Sequence, residues 1–194
     1  MIMKIRGLVT ASLLGLMPLV STGYSKGDAS KPVVVRAGRA EYNQGNLVSY
    51  GFGECSAVVL DYGNSAIMAH AVPLLGKNID IQLSVLNRKN KTITSGGVVD
   101  YLLEESAERG LNPKRAQAHV ISGNQKSLER IVSDLKLQGI AIVQASLRDD
   151  KSTIKEELST ILYSPSEDKM TVFREGDFPR YEEGFDESQE WERS

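Results

Sequence analysis

With 194 residues, a net charge of −2 and no run of five basic residues, the chain suits one domain with a single sizeable core and offers no footprint for nucleic acid. Hydrophobic residues at 41% and charged residues at 25% are the proportions of an ordinary globular protein. The one cysteine, Cys55, excludes an intramolecular disulfide; in an exported chain it is either an apolar filler or a reactive thiol.

The first residues differ from the rest. Lys4 and Arg6 precede a mostly apolar run over 8–20, and Ser21 and Gly23 take the −3 and −1 places of a cleavage after Gly23. This three-part pattern predicts a signal peptide over 1–23 and a secreted or periplasmic protein. The run is shorter than the ~20 apolar residues a spanning helix needs, so no membrane span is expected in the mature chain. The alternative is a cytoplasmic protein whose translation starts at Met17. The small polar residues 24–31 form a linker.

Short strands are predicted at 33–35 and 47–49, the second running into Gly51 and Gly53. The apolar, β-branched run 56–62 predicts a buried strand, Gly63-Asn64 a turn, and 65–71 its hairpin partner, ended by Pro73. Residues 74–93 are polar and ambiguous. A helix follows over 97–109, with Val99, Leu102, Leu103, Ser106 and Ala107 on one face and Gly110 and Pro113 as its stop. A strand at 116–122 leads into a second helix over 124–138, where Leu128, Ile131, Val132 and Leu135 recur at helical spacing before Gly139. Strands are predicted at 139–147, 158–163 and 170–173. The sum is an α/β domain over 32–175: mixed, largely antiparallel β-structure with its two main helices packed outside. From Glu175 to Ser194 eight acidic residues stand against two arginines. The segment 176–194 is accordingly expected to be a disordered acidic tail, or, through its scattered aromatics, one that docks on this domain or a partner.

The chemistry available centres on Cys55 and His70, one of two histidines in the chain. A thiol beside an imidazole can attack an amide carbon, with the histidine carrying the proton to the leaving nitrogen. The resulting oxyanion needs backbone N–H donors, and Gly51, Gly53 and Glu54 supply a loop directly before the cysteine. A hairpin about Gly63-Asn64 is expected to return residue 70 beside position 55 or 56. Ser49 is one candidate to hold the imidazole through its hydroxyl, and Asp61 is the other. The bland alternative is a buried thiol and an unrelated ring. His119 is expected to be a structural or surface residue. No Cys/His cluster has metal-ligand spacing, and no cofactor motif is present, so neither a metal nor a cofactor is expected.

The stretch GFGECSAVVLDYGNSAIMAHAVP resembles the core motif of the chemotaxis receptor glutamine deamidases, the CheD family. In that family a Gly-x-Gly-Ser-Cys loop enters an apolar strand and an Ala-His-x-x-(Leu)-Pro segment follows, the leucine not always present; Gly51, Gly53, Cys55, Ala69, His70 and Pro73 match. Downstream, VVDYLLEESAERGLNPKRAQAHVISGNQ, LQGIAIVQASLRDD and ILYSPSEDKMTVFRE are similar in order to the family's later elements, so the likeness extends over residues 33–175. It implies a cysteine-dependent hydrolase that converts a protein's glutamine side chain to glutamate through a thioester. The same arrangement occurs in toxin deamidases such as cytotoxic necrotizing factors. Carried over, Cys55 is the nucleophile, His70 the base and acid, and Ser49 stands where the family has threonine. Glu54 replaces a small serine and His119 a lysine. The implied partner is a protein bearing a reactive glutamine. The rival readings are a catalytically silent binding module of the same fold and another Cys-His hydrolase, such as a peptidase or amidase.

Overall fold

The computed structural model describes residues 31–75, 81–86, 92–93, 97–148, 158–174 and 176–181. The leader expected over 1–23, the linker apart from Lys31, and the tail beyond Tyr181 lie outside these residues.

The hairpin at the centre of the molecule follows from its sequence. Ser56–Asp61 (β4) pairs antiparallel with Ala66–Leu75 (β5) around a turn in which Gly63 takes a φ of +88° and its N–H donates to Asp61 Oδ1. Every residue of β4 is buried, because both of its faces are covered. Val58 and Leu60 point into one core, while Ala57 and Val59 point into another. The first core is closed by the helices Val98–Glu108 (α1) and Gln125–Leu137 (α2), through Val98, Leu102, Ile131 and Leu135. The second is closed by a smaller sheet. The layers are therefore helices, large sheet, small sheet, and the helices cover one face only.

The large sheet continues from β4 through Gln117–Ser122 (β8) to Ala141–Leu147 (β9) on one side, and from β5 through Ile81–Leu86 (β6) to Thr92–Ile93 (β7) on the other; Ala40–Asn43 (β2) also pairs with β5. The small sheet runs Val33–Val34 (β1), Leu47–Phe52 (β3), Ser159–Ser164 (β10) and Lys169–Arg174 (β11). Pairing is mixed and largely antiparallel; β8 with β9, joined through α2, and β1 with β3 are the parallel pairs. Both helices stop at glycines with positive φ, Gly110 at +74° and Gly139 at +71°, and Asn124 caps α2 by accepting from the Ser127 N–H.

Two expectations change, and residues 176–181 follow the docking alternative for the tail rather than the disordered one. Pro73 does not end β5: it is paired with Leu83 of β6. A proline there is tolerated because β5 has left both β4 and β2 by Ala71, so one edge of the strand needs no N–H donor. The ambiguous stretch after residue 74 contributes β6 and β7, and β2 was not foreseen. Residues 176–181 of the expected tail pack on the small sheet. Tyr50 Oη donates to Pro179 O and accepts from the Tyr181 N–H, while the rings of Phe173, Phe178 and Tyr181 follow one another at 4.9 and 5.8 Å. Among the described residues no helix is long and apolar enough to cross a membrane.

Candidate active site

His70 belongs to β5 and is 1% exposed. Its neighbours Ala66 and Met68 lie in the core between the two sheets, so residue 70 faces that layer too. Its backbone is fixed on both sides: the N–H donates to Arg39 O, and the carbonyl accepts from the Gly38 N–H. The ring stacks on Phe52, with centroids 3.9 Å apart and planes 13° from parallel.

Ser49 and Phe52 both reach His70 from β3, although an uninterrupted strand would turn residues three apart to opposite faces. A bulge resolves this. Between its pairings with Ser49 and Phe52, β3 advances three residues while β10 advances two, from Ile161 to Ser159. Gly51 absorbs the extra residue at a φ of +74°. The glycine expected to serve an oxyanion loop thus also aims the two side chains that hold the histidine.

The hydrogen bonds around Ser49 determine the tautomer. Ser49 Oγ donates to Val35 O at 2.5 Å and lies 2.8 Å from His70 Nδ1. A hydroxyl has one proton. With that proton on the Val35 carbonyl, Nδ1 must carry its own hydrogen and donate it to Ser49. The neutral ring then keeps its basic lone pair on Nε2, which is buried without a hydrogen-bond partner among the described residues. Burial lowers the His70 pKa from 6.5 to about 4, so the ring is neutral at pH 7. Asp61, the other candidate for this role, lies at the far end of β4.

A hairpin centred on Gly63-Asn64 pairs residues whose numbers sum to 127, so His70 stands opposite Ala57 rather than beside 55 or 56. Cys55 shares the odd-numbered face of Ala57 and packs against the same inter-sheet core. That makes it the diagonal neighbour of His70, with backbones roughly 7–8 Å apart and side chains closer. Ser56 faces the other way and bonds Ser122 Oγ at 2.8 Å. The thiol and Nε2 share a layer but are not hydrogen-bonded in this conformation.

Burial pushes the Cys55 thiol above its ordinary pKa; backbone hydrogen bonds at Gly53 and Cys55 pull it down, Glu54 raises it and Arg148 lowers it. The carboxylate beside the cysteine therefore matters less than burial, and Glu54 itself is exposed. The resting pair is a neutral thiol and a neutral imidazole, not an ion pair. A pair in these protonation states is chemically suited to general base catalysis, in which an imidazole nitrogen takes the proton as sulfur attacks.

Two residues at this site had no signal in the sequence. Gly123 N–H donates to Cys55 O at 2.9 Å, and a Cβ at position 123 would lie 1.9 Å from Gly53 O. Arg148 hydrogen-bonds Phe52 O and approaches Ser159 Oγ at 3.4 Å, tying the strand end before Cys55 to β10. Both lie fifty or more residues beyond the motif in the sequence.

The depressed His70 pKa gives a stability prediction. The unfolded chain binds this proton below pH 6.5, and the folded chain only below about 4. Stability from His70 is therefore complete above pH 6.5 and is lost as pH falls towards 4, by roughly 3 kcal/mol. Urea unfolding of wild type and His70→Asn at pH 7 and pH 4.5 checks this, since the variant should lack that share of the acid sensitivity.

A second cluster lies elsewhere in the same layer. His119, fully buried in β8, has Nε2 2.9 Å from Oδ1 of Asp168, and one ligand atom each from Asp61, His119 and Asp168 fall within 4.8 Å of one another. Ligand spacing along the chain could not find this group, because its members come from three separate segments.

No family model matches the chain, and no curated protein matches it.

Proposed function

We propose that the protein is an exported, cysteine-dependent protein-glutamine deamidase similar to the chemotaxis receptor deamidases. The observation that carries this reading is the Val35–Ser49–His70 chain of hydrogen bonds, which leaves a basic Nε2 on the face that Cys55 shares. An unpaired buried acceptor costs about 1–3 kcal/mol. A side-chain rotation that brings the Cys55 thiol to Nε2 relieves that cost and assembles the pair. The leader pattern in the sequence supports export.

In this mechanism Nε2 takes the thiol proton as Sγ attacks the glutamine side-chain carbonyl carbon. The negative oxygen that forms is held by loop amides in the segment Gly51, Gly53 and Glu54. Collapse breaks the C–N bond, and the protonated Nε2 delivers its proton so that ammonia leaves. The thioester is then hydrolysed by a water that Nε2 deprotonates, releasing a glutamate side chain and restoring the thiol. Ser49 holds Nδ1–H throughout, so the base stays on Nε2.

The raised thiol pKa and the unmade Sγ–Nε2 hydrogen bond favour one rival, a silent binding module. Ammonia release from glutamine-rich proteins separates the two. The deamidase reading expects release that disappears in Cys55→Ala. A binding module releases none, and a peptidase cuts the chains instead.

A further inference from the structure

Asp61 stands at the opposite end of β4 from Cys55, six residues or ~20 Å away along the strand. His119 is paired across the ladder with Val59 and therefore faces the same inter-sheet layer. Asp168 comes from the turn between β10 and β11, where it adopts a φ of +49°, and its side chain is half exposed. Two carboxylates and an imidazole thus meet where the layer opens to solvent, and among the described residues neither carboxylate is paired with a lysine or arginine.

The polar atoms here are poorly satisfied by one another. His119 Nε2 and Asp168 Oδ1 approach to 2.9 Å, yet neither ring nitrogen has a properly directed hydrogen bond, although His119 is 0% exposed. Tyr163, also 0% exposed, leans on the His119 ring at 5.1 Å, with its hydroxyl against the Asp61 and Asp168 carboxylates. Buried polar atoms are normally paired, and each exception needs a reason. A cation supplies one. Nitrogen and oxygen donors bound at ~2.0–2.2 Å in a tetrahedral site sit roughly 3.4 Å apart without pointing at each other; His119 Nε2 and Asp168 Oδ1 are 2.9 Å apart, and the Asp61 oxygen lies within 4.8 Å of both. One imidazole with two carboxylates is a mixed, borderline donor set, which suits first-row divalent ions better than calcium or magnesium.

We propose that Asp61, His119 and Asp168 form a binding site for a first-row divalent transition cation, at the end of the inter-sheet layer remote from Cys55. His119 Nε2 and one oxygen from each carboxylate are the protein ligands. Asp61 is oriented by the Gly63 N–H, which donates to its Oδ1 at 3.1 Å. The site binds independently of the chemistry at Cys55.

Untagged, chelator-stripped full chain titrated with Co2+ and followed by visible absorption tests this, with Zn2+ added afterwards as competitor. The expected result is saturation near one Co2+ per chain, bleached by Zn2+ and retained in Cys55→Ala. Asp168→Asn should bind at least ~10-fold more weakly. Asparagine tolerates the positive φ at position 168, so that variant keeps its fold. No saturable absorption, undiminished binding by Asp168→Asn, or loss of binding in Cys55→Ala would each overturn the assignment.

Discussion

Gly123→Ala is expected to destabilise the protein by ~2–4 kcal/mol and to displace the loop that carries the cysteine. The added Cβ would lie 1.9 Å from Gly53 O and 2.9 Å from Glu54 Cα. Both are backbone atoms, so no flexible side chain can yield. The same contact region includes the Gly123 N–H bond to Cys55 O, so the shift falls on the peptide of Cys55 itself. Gly53→Ala is the matched comparison. Its Cβ would meet only Leu158 Cδ2, at an ordinary 3.5 Å, and should cost far less. Urea midpoints of the two variants, read together with the rate of thiol labelling at Cys55, check the difference. Equal midpoints would mean that the close approach of the two loops is not what holds Cys55.

On the proposed deamidase reading, Ser49→Ala should lower the activity by about 10²–10⁴-fold, the range for a base whose tautomer is no longer held. The substitution removes the bond to Val35 O and the partner of Nδ1 together. Both atoms then lie unpaired around a position that is 0% exposed, at a cost of about 1–3 kcal/mol. Without Ser49 the ring can place its hydrogen on Nε2, where it cannot accept a proton from the thiol. Ser49→Thr keeps the hydroxyl and should keep most of the activity. Steady-state ammonia release by the three proteins checks this. A Ser49→Ala enzyme as fast as wild type would remove Ser49 from the site.

The central hairpin and both helices were legible because their signals are local. Gly63-Asn64 sets a turn, 56–62 is apolar enough for a strand covered on both faces, and Gly110 and Gly139 stop helices whose apolar spacing is regular. Of the two residues expected as partners of the imidazole, Ser49 and Asp61, Ser49 is the one within hydrogen-bond distance of His70 Nδ1. What stayed hidden depends on distant packing. The bulge at Gly51 exists only relative to β10, more than a hundred residues later. Gly123 is a plain loop glycine until its neighbour Gly53 is placed against it. The strand through Pro73 required knowing that β5 loses two partners before it gains β6. The thiol's raised pKa follows from burial between the sheets, which a motif does not encode. The Asp61–His119–Asp168 group was missed for the same reason, being assembled from β4, β8 and the β10–β11 turn.

The coupling of Cys55 to His70 is the point on which the catalytic reading stands. It can be measured without knowing the substrate, by the rate at which a glutamine-mimicking electrophile labels Cys55 at pH 7 in wild type and in His70→Ala. Labelling of wild type should far outpace that of an ordinary thiol of raised pKa, and it should collapse in His70→Ala as the proton acceptor is removed. Slow labelling that is unchanged by His70→Ala would mean that the thiol and the imidazole do not work together.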